Sequence, residues 1–163
     1  MALSYIGVGS NEGDRFHNLL AGISLIGRRY PILALSSIYL TEAWGFVGRD
    51  FLNAVLLVRI HDNPFALLGY LKDVEAKLGR KPSRRRYGPR PFDADILLYE
   101  GLTLRSPDLT VPHPNIRERD FVLIPLKELL SLGFPSLSFT AEPAGSGGVV
   151  KVVDRAALRV ERL

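Results

Sequence analysis

The sequence predicts an α+β fold built on the order βαββαβ, with helices packed against an antiparallel sheet. Three observations carry that reading. Apolar residues recur at helical spacing in two segments, the runs around them are short and rich in Val, Leu and Ile, and Gly or Pro punctuates most of the junctions. With 163 residues, 47% of them hydrophobic and 23% charged, the chain is expected to fold as a single domain over residues 1–163.

Leu3 to Val8 reads as the first strand, and GSNEGD, Gly9 to Asp14, as the turn into a helix whose inner face holds Phe16, Leu19, Leu20, Ile23 and Ile26. Leu33 to Thr41 alternates as a second strand. Trp44 to Asp50 is a loop with two glycines, and Phe51 to Ile60 is a third strand. Asn63 before Pro64 marks a helix start, because Asn caps well and Pro suits the first turn. Leu67, Leu71, Val74 and Leu78 form that helix's apolar stripe, and Gly79 stops it. Phe92 to Tyr99 is the fourth strand, completing the split βαβ, ferredoxin-like plan. A further helix, from about Glu118 to Leu130, is expected to cover the other face of the sheet, giving three layers, αβα. Pro143 to Gly148 reads as a flexible loop and Val149 to Val153 as a short strand, with no internal repeat.

Composition removes several classes of function. Without cysteine there is no disulfide framework, zinc–thiolate site or cysteine nucleophile. The N-terminus lacks a basic stretch followed by an apolar one, and no segment approaches the roughly 18 apolar residues of a membrane span. A cytoplasmic protein without a membrane partner is expected. The net charge of +4 and pI of about 9.6 favour an anionic ligand. No G-x-x-x-x-G-K-[ST] is present, and Gly7, Gly9 and Gly13 are spaced one residue too long for a dinucleotide fingerprint.

From Gly79 to Pro91, GRKPSRRRYGPRP holds six basic residues, Arg80, Lys81, Arg84, Arg85, Arg86 and Arg90, and no acid. Pro82, Gly88, Pro89 and Pro91 rule out a continuous helix, so self-repulsion should keep an irregular loop open until an anion arrives. A solvated charge run is the plain alternative. Asp93 and Asp95 weigh against it: two apart on a strand, they point to one side, about 6.5 to 7 Å from each other. Neighbouring, partly buried carboxylates repel unless a cation neutralises them. Magnesium takes one or two carboxylates plus phosphate oxygens and is the candidate, while salt bridges to Arg90 and its neighbours are the alternative. Arginines and metal-bearing acids would together grip a polyphosphate tail. A nucleotidyltransferase pairing of Ser10 with these acids is disfavoured, since more than eighty positions separate them.

Six ordered motifs then point to one family: GSNEGD, SSIYLTEAWG at Ser36 to Gly45, DFLNAV at Asp50 to Val55, E-x-x-x-G-R at Glu75 to Arg80, RYGPRPFDADILLY at Arg86 to Tyr99, and VPHP with RERDFVLIPL between Val111 and Leu126. The chain resembles the 6-hydroxymethyl-7,8-dihydropterin pyrophosphokinases of folate synthesis over nearly all its length to about Leu130. The resemblance implies a ferredoxin-like fold and transfer of the β,γ-diphosphate of ATP to the pterin's hydroxymethyl oxygen, releasing AMP. It implies that Asp93 and Asp95 coordinate two magnesium ions and, with Arg80 and Arg90, make up the catalytic group. Asp95 is the candidate to take the hydroxyl proton. Lys72, Glu75, Arg80, Arg86, Tyr87, Arg90, His113 and Arg119 would bind ATP, and the loop Gly79 to Pro91 would close over it. Phe51 and Phe121 fall where aromatic rings sandwich the pterin, Asn53 where an amide reads its edge, and Thr41, Glu42 and Trp44 where the pocket is lined.

Plainer readings exist for some of these residues. Phe51 and Phe121 suit core packing. Lys72 and Glu75 suit a surface ion pair, and His17 and His61 are read as surface residues. The chain departs from the family pattern at Tyr87, where Trp is common, at Pro82, where a further cation can occur, at Lys72 in place of Gln, and at Ala43 in place of Pro. An RNA-binding module of the same fold would show the RNP pattern K/R-G-F/Y-G/A-F-V-x-F/Y, which is absent. A regulatory domain that binds the nucleotide without chemistry remains a third reading. The expected partners are therefore ATP and a hydroxymethyl dihydropterin, with no nucleic acid, and the chain is expected to act as a monomer.

Overall fold

A computed structural model describes residues 1–43, 48–79, 89–140, 142–143 and 148–158. Along the chain lie β1 (Ala2–Ser10), α1 (Arg15–Arg29), β2 (Ile32–Leu35), β3 (Ile38–Thr41), β4 (Phe51–Ile60), α2 (Pro64–Lys77), β5 (Asp93–Tyr99), β6 (Leu104–Arg105), β7 (Thr110–Val111), α3 (Asp120–Ser131) and β8 (Val149–Val153). The main sheet runs β5-β1-β4-β3-β8, with β2 also on β4, and all its pairings are antiparallel. This is the ferredoxin-like arrangement the element order predicts.

Alternation along the strands sorts side chains between two cores. On β4, Leu52, Ala54, Leu56, Val58 and Ile60 face the core that also takes Leu19, Ile23 and Ile26 of α1 and Leu67, Leu71 and Val74 of α2. Val55 and Leu57 face the opposite core, closed by Leu123, Leu126 and Leu129 of α3. The helices thus lie on both faces, as expected. Each fully buried Leu or Ile contributes roughly 1.5–3 kcal/mol over its exposed state.

Local chemistry fixes the helix ends. The Asp14 carboxylate accepts from His17 N–H at 3.0 Å at the start of α1. Asn63 does the same for Ala66 N–H at 2.9 Å before Pro64, and Gly79, at φ 97°, follows the end of α2. In α1, Gly22 meets the ring of Phe92, and a Cβ there would collide with that ring. This close approach buries Phe92 completely and anchors the chain one residue before Asp93.

Four expectations change. The single strand Leu33 to Thr41 is broken at Ser36 and Ser37. Leu35 opposes Leu56 and Tyr39 opposes Asn53, so four steps on one side face three on the other, a bulge. Serine chemistry accounts for it: Ser36 Oγ accepts from Val55 N–H at 2.8 Å, while Ser37 N–H and Oγ donate to the Glu128 carboxylate of α3 at 2.7 and 2.6 Å. Secondly, β1 continues through Ser10, so Gly9 belongs to the strand and only Gly13, at φ 68°, gives the turn its left-handed residue. Thirdly, α3 starts at Asp120 after a 3-10 turn over Ile116–Glu118, and the hairpin of β6 and β7 precedes both. Finally, Phe16 is 42% exposed rather than inward, because the buried face of α1 is Leu19, Gly22, Ile23 and Ile26.

Where β4 ends and α2 begins, the structure closes on Asp62. Its Oδ2 accepts from Tyr30 OH at 2.7 Å and from Arg29 Nη2 and Nε at 3.0 and 3.2 Å, and its backbone carbonyl accepts from Tyr99 OH at 3.0 Å. These donors, Tyr30 first, hold the Asp62 carboxyl below the usual carboxylate range. Burial pushes the Tyr30 phenol up to about 12.

Candidate active site

At the other end of the same strands, where β1 finishes and β4 and β5 start, lies a cavity of about 380 Å³. Its floor follows from register. Asn53 of β4 stands opposite Gly9 of β1, and Gly9 opposite Asp93 of β5; the next row on that face is Val55, Gly7 and Asp95. Two glycines spaced by two in the central strand remove side chains from one face and leave a trough between the amide and the acids. A Cβ on Gly9 would run into Asn53 Oδ1 and come to 3.4 Å from the Phe51 ring.

Each wall is fixed by identifiable bonds. Asn53 Nδ2 donates to Thr41 Oγ1 at 2.6 Å, both side chains buried, so the amide cannot turn freely. Arg90 is 8% exposed and tied to the turn after β1 in both directions: Asn11 N–H donates to Arg90 O at 3.0 Å, and Arg90 N–H donates to Asn11 Oδ1 at 2.7 Å. His113 follows a cis Val111–Pro112 peptide, and its N–H donates to Leu97 O at 2.9 Å. Its Nδ1 accepts from Asn115 N–H at 3.2 Å, so the neutral ring carries its proton on Nε2. Arg119 precedes the first turn of α3, and its guanidinium lies 5.7 Å from the centroid of the Phe121 ring. Pro125, inside α3, has no N–H to offer the carbonyl of Phe121.

All of the described candidates line this one cavity: Thr41, Glu42, Phe51, Asn53 and Phe121 of the expected pterin group, and Lys72, Glu75, Arg90, Asp93, Asp95, His113 and Arg119 of the expected ATP and metal group. Trp44, Arg80, Arg86 and Tyr87 lie outside the described residues, as does most of the loop Gly79 to Pro91. The surface reading of Glu75 is corrected. It is 7% exposed, while Lys72 is exposed to solvent, and Glu75 Oε2 accepts from Ala94 N–H at 3.0 Å. Residues that the sequence reading did not single out also line the cavity, notably Gly7, Asp108 and Asn115. The Gly7–Gly9 spacing carried a signal, two glycines on one strand face, that the expected turn concealed. Asp108 carried none, since the Ser106 turn that holds it belongs to a hairpin without a motif.

The lining divides by chemistry. Asp93 and Asp95 offer hard oxygen donors from one strand face. Among the described residues no group of three or more acids and histidines gathers to hold a metal. Two carboxylates alone leave coordination positions for phosphate oxygens and water, an arrangement that suits magnesium. Lys72, Arg90 and Arg119 supply positive charge to the same cavity, and Phe51, Phe121 and Val122 supply apolar surface.

Comparison with known proteins points to one family. The family described as 7,8-dihydro-6-hydroxymethylpterin-pyrophosphokinase (HPPK) matches residues 5–131. The 2-amino-4-hydroxy-6-hydroxymethyldihydropteridine pyrophosphokinase of Aquifex aeolicus is 42% identical over 130 residues, covering 79% of this chain and 81% of that protein. The Bacillus subtilis protein of the same name is 38% identical over 130 residues, covering 78% and 77%. A mitochondrial folate synthesis bifunctional protein of Pisum sativum is 41% identical over 133 residues, 80% of this chain but 26% of that one. Among solved structures, an HPPK-DHPS in complex with substrates superposes with a TM-score of 0.60 over 79% of this chain at 13% identity, which speaks for the fold. The chain spans 42% of that longer structure's length. On the extent of the family match and the identity to its members, this chain belongs to the 7,8-dihydro-6-hydroxymethylpterin-pyrophosphokinase family.

Proposed function

We propose that the protein transfers the diphosphate of ATP to the hydroxymethyl oxygen of 6-hydroxymethyl-7,8-dihydropterin, releasing AMP, as a step of folate synthesis. The observation that carries this reading is the trough itself. One row of three strands sets a fixed amide, a glycine and an acid side by side, with aromatic rings near the amide and cations sharing the cavity.

In this reading the pterin lies at the Asn53 side. Phe51 and Phe121 give its faces apolar contact, and the amide held by Thr41 reads its polar edge. The triphosphate lies toward Asp93 and Asp95, which would hold two magnesium ions. Bound there, those ions supply neutralisation of the charge on the phosphate oxygens during transfer. Arg90, positioned by Asn11, brings a guanidinium to the same charge, and Arg119 adds a second. His113 presents Nε2–H as a donor to the nucleotide. The chain's main contribution is to bring the hydroxymethyl oxygen in line with the β-phosphorus, since positioning supplies much of the rate in such reactions. Arg80, Arg86, Tyr87 and Trp44 join the site on the strength of the family motifs.

We also take residues 1–163 as one domain, because β8 pairs with β3 in the sheet that β1 begins. We take the protein to act as a monomer as well. A cytoplasmic location is supported by the cysteine-free sequence and by ATP as co-substrate. Incubation with ATP, magnesium and the hydroxymethyl dihydropterin tests the activity. Pterin-dependent AMP is expected, whereas ADP or no nucleotide turnover would overturn the reading.

A further inference from the structure

β5 is the outer strand of the sheet, with β1 on one side only. The outer edge of such a strand presents backbone N–H and C=O groups that need partners. One of them is the N–H of Ala94, the residue between Asp93 and Asp95, and its partner is not another strand. It is the Glu75 carboxylate, reaching from the last turns of α2 to accept at 3.0 Å. Glu75 is 7% exposed, and Ala94 is 6% exposed. A buried carboxylate near two other acids is electrostatically unfavourable, so its placement calls for a reason beyond packing.

We propose that Glu75 is a positioning residue for the acid pair: by holding the outer edge of β5 at Ala94, it fixes the direction in which the Asp93 and Asp95 carboxylates enter the cavity. The hydrogen bond acts midway between the two Cα atoms whose side chains flank the site. Phe92, wedged against Gly22 of α1, anchors the strand just before the pair. The register shift between Ile96 and Leu98 of β5, opposite Ile6 and Tyr5, ends the regular ladder just beyond it. Between these two points the strand has β1 on its inner side and Glu75 on its outer side. With Glu75 removed, the edge is free to twist, and the separation of the two carboxylates varies. Divalent cation affinity should fall, because that affinity depends on two donors held at one spacing. This inference rests on the proposed metal-binding role of Asp93 and Asp95.

The test uses the full chain with Mn²⁺ as a spectroscopic probe and a nonhydrolysable ATP analogue, comparing wild type, Glu75→Gln and Glu75→Ala. Gln keeps an acceptor oxygen at the same reach, whereas Ala removes it. Mn²⁺ affinity in Glu75→Gln should stay within about threefold of wild type, and in Glu75→Ala it should fall by roughly 10- to 100-fold, the range typical of outer-shell partners of metal ligands. Exchange of the Ala94 amide hydrogen should quicken in Glu75→Ala and stay slow in Glu75→Gln. Wild-type Mn²⁺ affinity in Glu75→Ala would overturn the inference, and so would a loss in Glu75→Gln as large as in Glu75→Ala, which would mark Glu75 as acting by its charge. If wild type itself failed to bind Mn²⁺ with the analogue, the metal reading of Asp93 and Asp95 would fall first, so the two failures are distinguishable.

Discussion

The sheet carries aspartates at both ends of its strands, and the two ends treat them differently. Past the end of β4, Asp62 is met by Tyr30 and Arg29 within the protein, and Tyr99 takes its backbone carbonyl. At the start of β5, Asp93 and Asp95 instead stand on a cavity wall, opposite glycines that withhold side chains from the space between strands. On the proposed function, the same residue type serves architecture where neighbours close around it and ligand chemistry where the opposing strand stays bare. A carboxylate's function is decided by what stands across from it.

The sharpest way to break the comparison is to remove one acid from the open end. Asp95→Ala should cut turnover by roughly a thousandfold or more, on the scale of losing a main electrostatic contact to a reacting group, and leave the melting temperature near wild type. Steady-state AMP formation beside a thermal melt checks this, and near-normal turnover would remove the metal assignment. Leu56→Ala, between the two ends, should cost about 3 kcal/mol of folding stability by denaturant titration, since Leu56 is fully buried. Its effect should fall on both ends together, with KM in the folded fraction unchanged.

Gly9→Ala probes the bare strand itself. The added methyl meets Asn53 Oδ1, and the amide can yield only by giving up its bond to Thr41, so the expected result is a pterin KM raised roughly tenfold, about 1.4 kcal/mol, with ATP affinity intact. An unchanged pterin KM would place the pterin away from Asn53.

How much of this was legible beforehand depends on the range of the signal. The Asn63 cap of α2, the βαββαβ order and the Asp-x-Asp strand are local, and the residues announced them. The split at Ser36 and Ser37 was hidden, because it depends on Glu128, ninety-one positions further along, and alternation alone reads straight through it. The glycine floor was hidden for a related reason: GSNEGD looks like a turn until register shows Gly9 lying between Asn53 and Asp93. Glu75 had the look of a surface residue, since its partner is a backbone N–H on another element. The shared cavity of the described candidates was foreseeable only through the family motifs, because spacing along the chain does not reveal which strands lie side by side.

Smaller effects come from buried phenols and from the closed end. Burial raises the phenols of Tyr5 and Tyr30 from the usual 10 to about 12 and raises Tyr39 as well. A raised folded value means that the stability from keeping these phenols neutral is complete below pH 10 and is lost as pH climbs from there toward 12. Stability measured across that interval should decline, and a flat profile would contradict the burial of these rings. Asp62→Asn should act least. Its depressed carboxyl contributes stability above the usual pKa of 3.8 that fades as pH falls through the folded value. The expected result is a small, salt-sensitive drop in melting temperature at neutral pH with unaltered turnover, and any loss of turnover would blur the division between the ends.

The bond from Glu128 to Ser37 has a mechanical consequence. Phe121 and Glu128 lie seven residues apart on α3, about two turns, so the Glu128 bond joins the buried Leu123, Leu126 and Leu129 in seating a stiff rod whose first turn carries the aromatic ring. Aim of that ring is therefore shared between the packed face of the rod and a pin two turns away.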